Sequence, residues 1–367
     1  MTYDNRIKVA ILGYGHIARN HRIGYELLKS QMAPVELVAL CDIDPEQFQD
    51  MEIINSDEST AGVRKDYHTY TDLEEMLKQE EVDVIDICLP TYLHCEYTVK
   101  LLKRGYHVMC EKPITVNYEK SLEMAKEAEK QGKILNIGVC NRYNKSVELL
   151  EELYREGKFG NIYHVYCSFR CFRSIPGLGG AFTTKAQSGG GVLIDWGVHF
   201  LDLILYVLGG AKLKTVTCDA YCEMAKDMKA YKYEGMWAED TADIENGTND
   251  VDDLISGHIR TDKASISFNG AWAQNLDKNE MFIDFLGDKC GARLTYGGKF
   301  ELTDGSTLKT EQPEYDIPNM YLCENKAFID SITTGQKNRC HIDNILESAK
   351  LLDVLYASAE QKEEIKL

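Results

Sequence analysis

The segment that most constrains this chain is its first apolar run. Lys8-Val9-Ala10-Ile11-Leu12 passes directly into Gly13-Tyr14-Gly15-His16-Ile17-Ala18, and a helical pattern follows. A short apolar strand ending in Gly-x-Gly-x-x-Ala needs a tight strand-to-helix turn. Gly13 admits that turn, Gly15 lets a pyrophosphate approach the backbone, and Ala18 lets the helix lie close to the strand. The exposed helix N-terminus attracts phosphate. Gly13, Tyr14, Gly15, His16 and Ile17 are therefore the first expected dinucleotide contacts.

The next 130 or so residues repeat the alternation that such a turn requires. Strand-like runs at Lys8–Leu12, Glu36–Cys41, Val82–Leu89, His107–Cys110 and Ile134–Val139 are short and apolar on both faces. That is the signature of a parallel sheet covered on both sides. Helical periodicity fills the gaps, as in Asp72–Leu77, Tyr97–Leu102 and Tyr118–Lys130. Residues 1–140 are read as an α/β Rossmann domain with a doubly wound parallel sheet. After Asn141 strands follow strands: Ile162–Phe172, Lys214–Tyr221, Asp253–Arg260, Ala264–Gly270, Met281–Leu286, Ala292–Tyr296 and Phe300–Leu302. Helices are expected at Ser146–Arg155, Asp195–Leu208, Tyr321–Thr333 and Asp343–Gln361. Residues 141–367 are thus an α+β domain with a mostly antiparallel sheet. A chain of 367 residues exceeds the size at which single cores stop growing, about 250–300 residues. The acidic, aromatic stretch Met228–Asp252 reads either as a long functional loop or lid, or as a disordered excursion.

Ligands of open parallel sheets lie at the carboxyl ends of the strands. Asp42 ends the second strand, where a carboxylate accepts both ribose hydroxyls and repels a 2′-phosphate, which favours NAD over NADP. Leu89 ends the Val82–Leu89 run, Pro90, Thr91 and His94 follow it, and Glu111-Lys112 follows the His107–Cys110 run. Lys112 precedes a proline and is held extended. Asp86, inside an apolar strand, requires a donor that the pattern does not identify.

The block Gly189-Gly190-Gly191-Val192-Leu193-Ile194-Asp195-Trp196-Gly197-Val198-His199-Phe200-Leu201-Asp202 places Asp195, His199 and Asp202 on one face of an otherwise apolar helix. Such a stripe is either a structural network or the wall of a site. A lysine at a strand tip that needs partners favours the wall.

Lys plus Arg number 41 against 59 Asp plus Glu, a net charge of −18. That field repels phosphate backbones and anionic lipid, so no nucleic-acid or membrane partner is expected. Val192–Leu208 is the most apolar stretch, and three polar residues interrupt it. The twelve cysteines are scattered without a Cys-x-x-Cys pair. They read as reduced core residues of a cytoplasmic protein, with no metal site.

The chain resembles the glucose–fructose oxidoreductase / inositol dehydrogenase / MocA family. The resemblance rests on Gly13-x-Gly15-x-x-Ala18, Pro90-Thr91-Tyr92-Leu93-His94, Glu111-Lys112-Pro113 and the Asp195-x-Gly197-x-His199 helix, in that order over essentially the whole chain. It implies NAD(P) as cofactor, a large open sheet in the second domain, assembly as a homo-oligomer, and sugars, inositols or related polyols as substrates. It implies that Lys112, Asp195 and His199 form the catalytic set. Asn141, Arg142 and Tyr143 would border nicotinamide and substrate, and Arg173 and Phe182 would lie in substrate-side loops. Trp196 would line the same site and is bulkier than the pattern expects.

On that reading His199 acts as acid/base and Lys112 donates to the developing alkoxide, although the two roles are exchangeable. Asp195 orients the pair. Two other functions share the same motifs: a redox-neutral enzyme that oxidises a sugar transiently and eliminates its glycosidic group, and a non-enzymatic dinucleotide sensor.

Overall fold

A computed structural model describes residues 6–49, 67–296 and 298–367. The described chain divides into two compact units. The first takes the residues up to Ile114, then Glu119–Tyr143 and Pro318–Asn344. The second takes Thr115–Tyr118, Asn144–Ile317 and Ile345–Leu367.

The first unit is built on β1 (Ile7–Leu12), β2 (Val35–Cys41), β3 (His68–Tyr70), β4 (Val84–Ile87), β5 (His107–Glu111) and β6 (Leu135–Gly138). They form one parallel sheet in the order β3-β2-β1-β4-β5-β6. The helices α1 (His16–Ser30), α2 (Leu73–Gln79), α3 (His94–Lys103) and α4 (Tyr118–Gln131) alternate with them. The chain order reverses between β1 and β4, which opens the ligand crevice of a doubly wound sheet at the strands' carboxyl ends. β3 escaped the sequence reading because its three residues are mostly exposed and carry no apolar pattern.

The second unit carries α5 (Lys145–Arg155), β7 (Ile162–Arg170), α6 (Lys185–Ser188), α7 (Val198–Val207), β8 (Leu213–Tyr221), β9 (Leu254–Thr261), β10 (Ser265–Ala271), β11 (Glu280–Gly287), β12 (Cys290–Thr295), β13 (Phe300–Asp304) and β14 (Lys309–Glu311). Next, α8 (Met320–Thr334) belongs to the first unit, and α9 (Leu346–Gln361) and β15 (Ile365–Lys366) to the second. The order β14-β13-β12-β11-β7-β10-β9-β8-β15 makes a nine-stranded sheet in which only β7 and β10 run parallel. Two adjacent rows of side chains show how period two divides its faces. Val216, Ile259, Ile266, Val165, Phe285 and Ala292 are buried in the core with α7 and α9. One residue along, the row Thr217, His258, Ser267, Tyr166, Asp284 and Arg293 is partly or fully exposed.

A single cut near residue 141 does not describe the chain, because α8 returns to pack on α1. Gly24 permits this, since a Cβ there would lie 2.6 Å from Asn325 Nδ2 and 3.1 Å from the Tyr321 backbone. Phe328 is fully buried in that interface, which contributes about 1.5–3 kcal/mol. Helical periodicity reports α8 but not that it packs on α1.

The apolar helix of the second unit starts differently from the expected Asp195–Leu208. A π-helical turn spans Leu193–Gly197 and runs into α7. Its start is held by Asp252. The carboxyl accepts the Gly191 N–H at 2.8 Å, the Leu193 N–H at 2.9 Å and the Tyr356 hydroxyl at 2.8 Å. The Asp252 main-chain oxygen takes the Val192 N–H at 2.9 Å. Amides that a helix N-terminus leaves orphaned are thus satisfied inside the core. The Gly189-Gly190-Gly191 run follows from this crowding: side chains at 190 and 191 would collide with the Tyr356 hydroxyl and the Asp252 carbonyl, and Gly189 sits at φ +86°.

The Met228–Asp252 stretch is an ordered loop laid along the segment after β7. Main-chain bonds run from Glu234 to Arg173, Gly177 to Trp237, Asp243 to Leu178, Thr248 to Gly179 and Asp250 to Thr183. Tyr231 and Met236 are buried beneath it. All twelve cysteines are free thiols, ten of them buried.

Gly191→Ala is expected to lower unfolding free energy by about 3 kcal/mol, because either the helix start or Asp252 must move. Gly291→Ala, whose Cβ would meet only the Phe285 carbonyl at 3.5 Å, should cost under about 1 kcal/mol. Urea unfolding of both variants measures the difference, and equal losses would remove Asp252 from its place at the helix start.

Candidate active site

In the first unit the strand tips converge as the turn chemistry requires. Gly13 stands at φ +87°, and a Cβ there would come within 2.7 Å of the Cys88 carbonyl. Gly15 is the opposite case: a Cβ would meet nothing within 4 Å. Gly15 is also the N-cap of α1 and supplies no side-chain cap. An uncapped helix N-terminus facing open space fits a pyrophosphate, which would accept its amides.

Asp42 lies beside this turn. Its Oδ2 accepts the Tyr14 N–H at 2.6 Å, and its Oδ1 accepts the Asp44 N–H at 2.9 Å. Each oxygen retains lone-pair capacity for a ribose hydroxyl. The Tyr14 ring packs against Phe48 and beneath the Arg19 guanidinium, and burial pushes its phenol pKa upward. His16 and Ile17 form the first turn of α1.

Leu89 and Pro90 follow β4, and Thr91 opens a short 3₁₀ turn. His94 is buried and clips two tips together. Its ring nitrogens lie 2.7 Å from the Leu89 carbonyl and 2.8 Å from the Pro113 carbonyl. Position alone suggested a cofactor contact, whereas its ring is spent on the main chain. Glu111 Oε2 accepts the Lys112 N–H at 2.8 Å, and the Lys112–Pro113 peptide is cis.

Arg142 is also turned inward. It is 3% exposed, and its guanidinium donates to the Arg339 and Asn344 carbonyls at 2.6 and 3.2 Å. Tyr143 is buried with the Arg339 guanidinium 4.9 Å over its ring, while Asn141 is partly exposed. Sequence reading could not anticipate carbonyl partners that arrive with the returning segment after α8.

In the second unit Asp195 is buried on the π-helical turn and accepts the Trp272 indole N–H at 3.3 Å. His199 follows one turn later and is partly exposed. Trp196 stacks on Tyr296 with ring centres 6.0 Å apart. Asp202 separates from the pair: it is fully buried and accepts the Ser348 hydroxyl of α9 at 2.5 Å. The Arg173 guanidinium sits between Phe172 and Tyr231, 5.7 and 5.4 Å from their ring centres, and donates to Asn275. Phe182 meets Trp237 edge to face at 4.6 Å. Trp272, Asp252 and His21 carry no motif and were missed. A signal existed only for His21's partner, Asp86, which required a donor. That donor is His21 Nδ1, 2.8 Å from Asp86 Oδ2.

Comparison with known proteins gives the family. Residues 7–139 match the profile of the oxidoreductase family with an NAD-binding Rossmann fold, and residues 147–293 match the GFO/IDH/MocA C-terminal domain. D-glucoside 3-dehydrogenase of Escherichia coli K12 is 29% identical over 365 residues, covering 98% of this chain and 97% of that protein. An NADP(+)-dependent scyllo-inositol 2-dehydrogenase of Bacillus subtilis is 24% identical over 98% of this chain and 96% of its own length. Among solved structures, levoglucosan dehydrogenase in complex with NADH and levoglucosan superposes with a TM-score of 0.80 at 17% identity, covering 98% of this chain and 99% of that one. The chain belongs to the GFO/IDH/MocA family of oxidoreductases and carries that family's NAD-binding Rossmann domain.

Proposed function

We propose that this enzyme oxidises a secondary hydroxyl carbon of a sugar, polyol or glycoside with NAD. The observation that carries the reading is Lys112: it stands at the carboxyl end of β5, in the same row of strand tips as the Gly13 turn and Asp42, with its main chain held by Glu111. A carbohydrate substrate is supported by the full-length likeness to a glucoside dehydrogenase.

NAD, when bound, supplies the hydride acceptor. The Lys112 ammonium donates to the substrate oxygen as alkoxide charge develops. His199 takes the hydroxyl proton, a role suited to a partly exposed imidazole. Asp195, fixed by the Trp272 indole, orients the imidazole and balances its charge. Asn141, Tyr143, Arg173, Phe182 and Trp196 complete the cofactor and substrate walls in this reading.

Asp42 selects NAD. Its carboxylate is pinned by two main-chain amides, so it cannot swing aside for a 2′-phosphate without losing both. Catalytic efficiency is expected to be at least tenfold higher with NAD than with NADP, on the order of one charge-assisted hydrogen bond, and Asp42→Ala should narrow that gap. Equal efficiencies in the native enzyme would remove the role.

Lys112→Ala should lower turnover by roughly two to three orders of magnitude, the scale for losing one preorganised donor, with NAD affinity little changed. His199→Ala should lose a comparable amount, and the double variant should fall well short of the product of the two losses. Single-turnover NADH formation with a panel of glycosides, read beside NAD titration, checks both. Near-native rates in Lys112→Ala would make the Glu111-Lys112 turn structural. NADH growing in step with product separates net oxidation from a redox-neutral cycle.

Among the described residues the nine-stranded sheet leaves one face uncovered, with Tyr163 54% and Tyr166 50% exposed. That face is the expected homo-oligomer contact. Light scattering should return a multiple of the 41.6 kDa chain mass at micromolar concentration, and a clean monomer would contradict it.

A further inference from the structure

Behind the Glu111-Lys112 turn lies a cluster of ionisable groups shut off from solvent. His21 of α1 is 0% exposed. Its Nδ1 is 2.8 Å from Asp86 Oδ2 on β4, and its Nε2 is 2.9 Å from Glu111 Oε1 on β5. A neutral imidazole has one N–H and would aim a lone pair at one of these carboxylates. Only the doubly protonated ring donates to both. Burial, the largest single effect, pushes the His21 pKa down, but the charge and hydrogen bonding of Asp86 and Cys88 together outweigh it and hold the ring well above its ordinary value.

Glu324 of α8 joins this cluster from the other side. It is fully buried, and neither carboxyl oxygen has a hydrogen-bond partner among the described residues. One of its oxygens, a ring nitrogen of His21 and an oxygen of Glu111 all lie within 4.8 Å of one another. The His21 charge is already shared by two carboxylates, so a third anion here would stand uncompensated in a dry site. Burial accordingly pushes the Glu324 carboxyl far above the usual range, and it keeps its proton.

Glu111 connects the cluster to the active-site turn. One of its oxygens faces His21, and the other accepts the Lys112 N–H. Gly138 of β6 closes the remaining side, since a Cβ there would lie 2.5 Å from Glu111 Oε1. The Asn325 amide donates to the His21 carbonyl at 2.9 Å, which anchors α1 to α8 at this level.

We propose that His21 is a positioning residue for Lys112. As a doubly protonated ring clamped between Asp86 and Glu111 and covered by a neutral Glu324, it fixes the Glu111 carboxylate and so the main chain that carries Lys112. The proposal rests on the reading of Lys112 as the active-site cation.

The first test needs no activity. In the enzyme labelled with ¹⁵N-histidine, one imidazole should stay doubly protonated from about pH 6 to pH 9, and its signals should be missing from His21→Gln. A neutral tautomer for that ring at pH 7 overturns the proposal, as does one bound metal ion per chain by elemental analysis. The second test is kinetic. A misplacement on the order of 1 Å costs up to about a hundredfold, so His21→Gln should lower kcat by about ten- to a hundredfold and leave NAD affinity within about threefold. A folded His21→Gln with native kcat overturns it. If that variant does not fold, Glu324→Gln serves instead. The amide copies a neutral acid, so Tm and kcat should hold while a protonated-carboxyl infrared band disappears. Retention of the band, or a collapse of Tm, overturns the assignment. Failure of the Lys112 reading is distinguishable: Lys112→Ala would then turn over normally, whereas the histidine spectrum would be unchanged.

Discussion

The position of the apolar helix in the second unit depends on one buried residue, Asp252. Three consecutive amides, Gly191 to Leu193, end on this residue, and the Tyr356 hydroxyl ends there too. A helix N-terminus inside a core must find acceptors or leave its donors orphaned at a cost of about 1–3 kcal/mol each. With the start pinned, the π-helical turn places Asp195 against the Trp272 indole, and α7 continues in the core with Phe169 and Leu355. The glycine run, the π-helical turn and the orientation of Asp195 are thus consequences of one interaction. The first unit solves a similar problem with the opposite sign. There an imidazole compensates carboxylates that two parallel strands bring together.

Much of this architecture was legible because periodicity reports burial. The parallel strands read as runs apolar on both faces, and the sheet topology then carried Gly13, Asp42, Leu89 and Glu111-Lys112 to one edge without further information. What stayed hidden were partners distant in sequence. Nothing around Asn136 or Arg142 announces that carbonyls of Arg339 and Asn344 will close on the same region. His21 sits in an ordinary amphipathic helix, and only the unexplained Asp86 hinted at a donor. His94 misled for the same reason: a polar residue at a strand tip suggests a ligand contact, yet a buried imidazole between two main-chain carbonyls is equally consistent with the letters. Asp202 shares the helical face of Asp195 and His199 by spacing, but the arrival of Ser348 on α9 decides its role.

The ordered loop after β8 has a further consequence. A run of main-chain hydrogen bonds joins it to the segment after β7, with side-chain contacts beside them. Gly177 closes on the Thr241 hydroxyl, Gly179 on the Asp243 carbonyl and Gly180 on the Thr241 carbonyl, with no room for a side chain at any of the three. The two stretches are therefore two halves of one structural module that are separated in the gene. Grafting either half from a relative would set an unmatched backbone against a glycine seam shaped for the other. Recombination that exchanges either stretch must therefore carry residues 173–183 and 228–250 together, and single-segment chimeras lose the seam.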